Sequence, residues 1–590
     1  MKDLIYKSLF MATALAVVAC SSSDDESANS GSNNTKEDVA INYAASITDL
    51  TGLDIAIDKT TLEESETVPD DDEDYIENNK FSKTVNIQFN GNTATVSSSV
   101  SGVNVTINHA DVTVTSTAKK VEYNITGTTN DGFLKIYSDN KFSLCLNGVS
   151  ITNPDGAAIN IQSKKRNYII VANGTTNTLT DGTAYNDETQ EEDMKATFFS
   201  EGKMLFSGKG NLNVYANCKA GIRSDAYIMF RPGCNIYVNA TAGNGIKAKD
   251  ALYIKGGVIN VETSAATAKA ISSDGLIQID GGRTTAITTG TAQKDEDGLD
   301  ASGCAAIKTD SILTVNSGSL LCKSTGAGGK GINADQGITI AKGTLRIVTT
   351  GNRYDDGNYT VSSVGIKTDG DMNIGQADIM VRSIGGKGAE GIESKGRLDV
   401  NGGKIQVYSY DHAICSSSSE MHINGGYTFA MSTNGHGLHA NAAISMNGGI
   451  AIGGGSAQEG AGVYTNGNDF SITGGTLIAF GATLSAPANK GTSQPVAILN
   501  TTSATEGSFV TVADSSCLLA FKIPVAYSNG FCMTISSPKL LQGHTYTFSN
   551  GAAVTGATDF CGYLTEPVAN GGTVWAELTM NNIVNTWNKE

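Results

Sequence analysis

One phrase returns ten times between residues 221 and 481, and that recurrence constrains the fold more than any other feature of the chain. It reads GIRSDAYIMF, GIKAKDALYIKGGVINV, AISSDGLIQIDGG, AIKTDSILTVNSGSL, GINADQGITIAKGTL, GIKTDGDMNI, GIESKGRLDVNGGKIQV, AICSSSSEMHINGG, GLHANAAISMNGG and GVYTNGNDFSITGGTL. With the Gly or Ala ahead of the first apolar residue as register zero, the copies start at 221, 245, 270, 306, 331, 365, 391, 413, 437 and 462. Most intervals are 22 to 26 residues, and two stretch to 36 and 34.

A repeat of this length is one structural unit stacked on itself, and this unit alternates apolar and polar residues between Gly pairs, which is strand chemistry with turns. No copy holds a run with helical spacing, so the period predicts an all-β chain wound as a parallel β-helix of about ten or more coils. Successive coils would then lie about 4.8 Å apart, with equal registers in ladders. Register one is Ile222, Ile246, Ile271, Ile307, Ile332, Ile366, Ile392, Ile414, Leu438 and Val463, an aliphatic row expected to face inward. Register four holds Asp225, Lys249 beside Asp250, Asp274, Asp310, Asp335, Asp369, Lys395, Ser417, Asn441 and Asn466. Short Asp and Asn side chains bond to nearby backbone, so this register predicts a corner. Gly pairs at 256, 281, 402, 425, 448 and 474 predict a second corner. The two long intervals carry QKDEDGLDASG and NRYDDGNYTVSS, insertions on one face of the stack, where function tends to sit.

Residues 1–19 have the pattern of an export signal, with Lys2 and Lys7 ahead of an apolar run, and Val17-Val18-Ala19-Cys20 closes it. That ending resembles the bacterial lipobox, which implies acyl chains on Cys20 and attachment to a membrane by that anchor alone. The following Ser21-Ser22-Ser23-Asp24-Asp25-Glu26 resembles the acidic export tag of surface lipoproteins in Bacteroidetes-type bacteria, which implies an outer-membrane lipoprotein displayed at the cell surface. Residues 20–40 read as a flexible acidic, Ser-rich tether. A β cap with its leading strands is expected over 41–143, with DDDEDYIENN at 70–79 as a surface loop; the coils are expected over 144–484 and a C-terminal β cap over 485–590.

LCLNGVSITNPDGAAINI, GTTNTLTDG at 174–182 and ATFFSEGKMLFSGKGNLNV lead into the repeats, followed by GIKAKD at 245–250, DGLDASG at 297–303 and SPKLLQGHTYTFSNG near 537. In that order they resemble a family of secreted bacterial carbohydrate-binding proteins related in shape to calcium-dependent pectate lyases. The resemblance implies a right-handed parallel β-helix that binds plant cell-wall polysaccharide, cellulose-like or polygalacturonate-like, together with calcium. Fold alone does not fix function. A calcium-dependent lyase on uronate polymers and a structural or adhesive spacer therefore stand beside the expectation of a non-catalytic binding protein.

The net charge of −18 argues against nucleic acid as a partner. It also implies that an acidic glycan would need cations between it and the protein, and calcium prefers carboxylate oxygen. Candidate calcium ligands are Asp250, Asp274 and Asp310 of the corner region with Asp295, Asp297 and Asp300 of the first insertion; the alternative for register four is a hydrogen-bonded corner. A lyase would need a free-base amine, which Arg223, Lys247, Lys308, Lys367, Lys249 or Lys395 beside clustered carboxylates would not supply without burial or another cation. His412 and His436 are one coil apart and should stack, with His439 nearby, either as paired neutral rings or as metal ligands. Tyr408, Tyr410, Tyr427 and Tyr464 cluster near those histidines, and the first three are expected, with His412 and His436, to offer a stacking face to sugar; packed tyrosines are the alternative. Nine cysteines besides Cys20 have no zinc spacing and read as small buried thiols in a monomeric stack.

Overall fold

In the computed structural model, which describes residues 48–97, 99–185, 192–555 and 559–589, the repeats become three ladders of parallel strands. The expected signal at 1–19, the tether with Cys20 and the first residues of the expected 41–143 cap lie outside the described residues. Among the described residues no α-helix occurs, and one short helical turn spans Ile76–Asn78. Each repeat gives one strand to a fifteen-stranded sheet and two to a larger, twenty-nine-stranded sheet. In the smaller sheet Ala220–Ser224, Ile246–Ala248, Lys269–Ser273, Ala305–Thr309 and Lys330–Ala334 follow one another in parallel register, and the row continues to Val463–Tyr464.

The register-one row stacks as the sequence predicts: Ile222 opposite Ile246, Ile246 opposite Ile271, and so on to Leu438 opposite Val463. Every member is at most 3% exposed. Each such aliphatic side chain contributes about 2 kcal/mol by leaving water, so the row is the spine of the core. Register three supplies small buried residues that close the corner. The hydroxyls of Ser224 and Thr309 accept the amides of Ala226 and Ser311 two residues on. Register four then turns the chain, and its amides continue the inter-repeat bonding, Asp274 to the Ala248 carbonyl at 3.1 Å and Asp310 to that of Ser273 at 3.2 Å. At the other predicted corner Gly282 has φ 74°, and a Cβ there would sit 2.4 Å from the Gly257 carbonyl, so only glycine fits.

Both long intervals prove to be hairpins inserted into ordinary repeats, Gln293–Lys294 with Ala301–Ser302 and Tyr354–Asp355 with Thr360–Val361. Parallel pairing reaches further towards the N-terminus than the expected boundary at 143, since Lys83–Asn90 already pairs in parallel with Val121–Thr129. At the C-terminal end Leu477 faces Ser536 in antiparallel register, which stops the parallel ladder close to the expected boundary at 484, and a six-stranded sheet follows. All nine described cysteines are free, as expected of small thiols in the stack.

The segment before the first strand departs from the expectation of a simple cap. Residues 48–80 run as a strap over the outer face of the larger sheet, from Arg382, whose Nε donates to the Asp49 carbonyl at 3.2 Å, back to Arg166, which pairs with Asp74 at 2.7 Å. DDDEDYIENN is therefore not a free surface loop. Glu77 and Glu66 both hold the Arg231 guanidinium, each at 2.8 Å, and Tyr75 lies beneath that guanidinium. Leu53 and Ile55 pack on Val348 further along.

Candidate functional site

The outer face of the smaller sheet carries one polar side chain after another at register two: Arg223, Lys247, Ser272, Lys308, Asn333, Lys367, Glu393, Cys415, His439 and Tyr464, each opposite the next. Parallel pairing alone produces this strip, because the middle residue of each short strand points away from its two inward neighbours, the aliphatic row of register one and the small residues of register three. The basic half is neutralised by register four. Lys247 pairs with Asp274 at 3.0 Å, Lys308 with Asp310 and Asp335 at 2.7 Å each, and Lys395 with Asp369 at 2.8 Å.

Those pairs bear directly on calcium. Asp274 and Asp310 each face a lysine, and Asp250 sits exposed at its corner. Asp297 and Asp300 accept the amides of Leu299 and Ala301 within their own hairpin, and Asp295 donates its amide to the Asp300 carbonyl. Among the described residues no three carboxylate, imidazole or thiol groups converge as metal ligands. Four of the six candidate aspartates, Asp274, Asp297, Asp300 and Asp310, already direct lone pairs at ammonium or amide donors, and the six as placed form no calcium cage. The hairpins do meet, with the Tyr359 hydroxyl donating to the Gly298 carbonyl at 2.9 Å.

Further along the strip the polar groups become buried. Lys367 bonds Glu393, whose other oxygen accepts the Ser417 hydroxyl at 3.1 Å. Burial together with the shared hydrogen bond to Glu393 raises the Glu390 carboxyl well above the usual carboxylate range. Lys330, which like Glu390 stands just before register zero of its repeat, is pushed down to about 8, chiefly by burial and then by the Lys367 cation. It lies outside registers two and four, where the lysines weighed from the sequence stand.

At the end of the strip the side chains become rings. His412 and His436 lie parallel within 7°, with centroids 5.1 Å apart, one strand spacing as the period predicts. Tyr464 stacks on His436 at 4.1 Å and 10°, and His439 lies 4.1 Å from His412. Burial pushes the His436 and His439 imidazoles down to about 4 and about 3 and lowers His412 too, so all three are neutral at pH 7. The tautomers follow from the bonding. The Nδ1 of His412 accepts the His436 amide at 3.2 Å, and the Nδ1 of His436 accepts the Ala461 amide at 3.0 Å. Burial raises the Cys415 thiol, whose Sγ lies 3.2 Å from the Nδ1 of His439. His412 and His436 thus keep their proton on Nε2 and offer a donor rather than a lone pair, which suits a hydroxyl and not a transition metal.

The expected tyrosines are dispersed. Tyr408 and Tyr427 stand on the larger sheet, in Lys404–Ser409 and Tyr427–Ser432, away from the histidine strands. Tyr408 is 3% exposed under the Arg382 guanidinium and against Phe429, so it offers no face to sugar. Tyr410 is half-buried at the corner, and Tyr427 is exposed but set edge-on against Phe560. Of the four clustered tyrosines, the one that joins the histidines is Tyr464, which follows His439 in register two.

A family model described as carbohydrate-binding domain-containing protein matches residues 108–385. A protein of the same description from Acetivibrio thermocellus is 36% identical over 121 residues, 20% of this chain and 42% of that one. The chain thus spans less than half the length of this relative. Among solved structures, the polysaccharide lyase-like protein from C. thermocellum, as a gadolinium derivative, aligns with a TM-score of 0.34 and 22% identity over 50% of this chain and all of its own, a likeness too low to carry an argument. Over its matched part the chain is a homologue of carbohydrate-binding domain proteins.

Proposed function

We propose that this chain is a right-handed parallel β-helix that binds polysaccharide without catalysis, and that glycan lies along the outer face of the smaller sheet with the ring column as its anchor. What supports the reading is the column itself: His412, His436 and Tyr464 stack at one strand spacing with His439 beside them, His412 and His436 carry neutral Nε2–H donors and Tyr464 is exposed, on a face whose charges are otherwise paired. Plant or dietary cell-wall glycan is the ligand class, the protein acts as a monomer, and acyl chains on Cys20 hold it at the outer membrane, facing out. The expected calcium is assigned no site in this reading: Asp274 and Asp310 face lysines, and Asp297 and Asp300 accept amides of their own hairpin. Calorimetry with a neutral cellulose oligomer tests it. Tyr464→Ala removes one stacked ring, about 1 kcal/mol, and weakens binding about fivefold. Binding that is unchanged in Tyr464→Ala and His439→Ala would remove the column from the reading.

One observation favours a second reading, a lyase on uronate polymers: Lys330, held down to about 8 beside Lys367, is an amine able to take a proton at mildly alkaline pH. Unsaturated product released by the wild type and lost in Lys330→Gln would establish it.

A further inference from the structure

A second concave site lies far along the chain from the ring column, where three successive corners meet the end of the strap. The cavity has a volume of about 530 Å³ and is lined by Lys80, Phe81, Lys119, Lys120, Asn140 and Lys141 with neighbouring asparagines. Four ammonium groups around one hollow are unexpected in a chain of net charge −18. On the sheet strip lysines are matched by aspartates, but among the described residues Lys80, Lys119 and Lys120 have no carboxylate within ion-pair distance, and Lys141 meets only the half-exposed Glu73 at 3.3 Å. Lys120 holds its corner at φ 63°, a conformation in which glycine or asparagine would be at home and lysine is strained. Phe81 is fixed on one side by Tyr168, at 5.3 Å between centroids, and Asn140 spends its amide donor on the Thr117 carbonyl at 3.1 Å. The corner stays basic in the next repeat as Lys164-Lys165-Arg166, where the Arg166 carbonyl accepts the Phe142 amide.

We propose that this pocket binds a glycan bearing sulfate or phosphate esters, with the ester seated among the lysines and a sugar ring against Phe81. The choice of anion follows from the donors. Planar carboxylates are matched best by the fork of arginine, and no arginine lines the cavity, whereas lysines are compact point charges that converge on a tetrahedral oxyanion from several sides. A phosphate monoester brings about two negative charges and three acceptor oxygens to one place, while a uronate polymer spreads one charge per sugar. The cavity volume suits one or two sugar units. This goes beyond the neutral-glycan site and does not depend on it. It also removes the need, argued from net charge, for a metal ion between an acidic ligand and the protein.

The test is calorimetry of the full chain with a sulfated disaccharide, its desulfated counterpart, a hexose 6-phosphate, and polygalacturonate, each in chelator and at low and high salt. Binding of the sulfated or phosphorylated sugar is expected in chelator, to weaken with salt, and to fall roughly fivefold to tenfold in Lys80→Gln/Lys119→Gln, two exposed ion pairs being removed. Lys342→Gln, an exposed lysine outside the pocket, should leave it unchanged. Which of the two esters binds more tightly names the source of the oxyanion. Equal binding of the desulfated sugar, indifference to the double substitution, or polygalacturonate binding as tightly through the same lysines would each overturn the assignment. So would lysine-dependent binding to anionic phospholipid vesicles without any binding of the sugars. Tyr464→Ala leaves this signal intact, so failure here and failure at the ring column are separable.

Discussion

Strands Asn235–Ala240 and Val258–Thr263 of the larger sheet carry the strap on their outer face, whereas Ile414–Ser416 and Leu438–Ala440 of the smaller sheet carry polar side chains and rings. Under the strap, Asn235 and Asn260 donate to the carbonyls of Lys59 and Asp58 at 2.8 and 2.9 Å, and Lys59 covers the Tyr237 ring at 3.4 Å. Here the outward side chains are occupied by the chain itself. On the ring column the imidazoles of His412 and His436 accept amides through Nδ1 and stack face to face with each other and with Tyr464, which leaves their Nε2–H edges for something else. Two faces of one repeat are thus put to different uses. One stabilises the stack, and the other is available for ligand.

The largest effects should come from what both faces share. Ile307→Ala removes part of the inward row at full burial and should cost about 2–5 kcal/mol, read from the denaturant midpoint. Next comes the strap: Arg231→Ala leaves Glu66 and Glu77 facing each other beneath the chain and should cost about 2–4 kcal/mol, less than a fully buried pair because Glu77 is half-exposed. Arg397→Ala, which breaks an exposed pair with Asp399, should leave the denaturant midpoint essentially where it is. If the two arginines prove equivalent, the strap is not a structural clamp and the contrast between the faces fails.

The inward row could be read directly from the repeat, because stacked strands impose equal residues at equal registers and Ile222 to Val463 obey that constraint. The hairpin insertions were legible for the same reason, as excess length in two intervals. The strap was not. Leu53, Asp58 and Glu66 follow no period, and their partners lie far away in sequence, Arg231 being 165 residues from Glu66. Tyr408 was misplaced because sequence proximity to His412 put it with the histidines, while strand alternation and the corner between them turn it onto the other sheet beneath Arg382. His439 and Tyr464 are legible near the histidines in the sequence, and register two singles them out from the other candidates, since Cys415, His439 and Tyr464 follow in one ladder.

Lowering pH should distinguish the faces by a smaller margin. The folded pKa values of His436 and His439, about 4 and about 3, lie below the unfolded value near 6.5, so the unfolded chain takes up protons first as pH falls. The stability these rings contribute is fully present above about 6.5 and is lost progressively as pH drops towards 4 and 3. The melting temperature should fall over that window, and His436→Gln/His439→Gln should flatten it. A protein with the double substitution that loses stability as steeply as the wild type would place the acid sensitivity elsewhere, among the carboxylates of the strap.

The smallest effect expected is the one that decides how calcium relates to the strip. If Asp274 and Asp310 serve only to neutralise Lys247 and Lys308, each pair is part-exposed and worth under about 0.5 kcal/mol, so Asp274→Asn and Asp310→Asn should barely move the denaturant midpoint, and added calcium should move it no further. If the two aspartates instead gathered an ion, wild-type stability would rise with calcium by the logarithm of its saturation, and both substitutions would abolish that rise. The two cases differ in sign as well as size. Removing an aspartate costs only an ion pair in the first, Lys308 keeping Asp335 when Asp310 is replaced, and removes a ligand in the second, so Lys308→Gln separates them: it should be as mild as Asp310→Asn if the pair is only electrostatic, and should strengthen calcium binding if Lys308 were competing with the ion for Asp310 and Asp335.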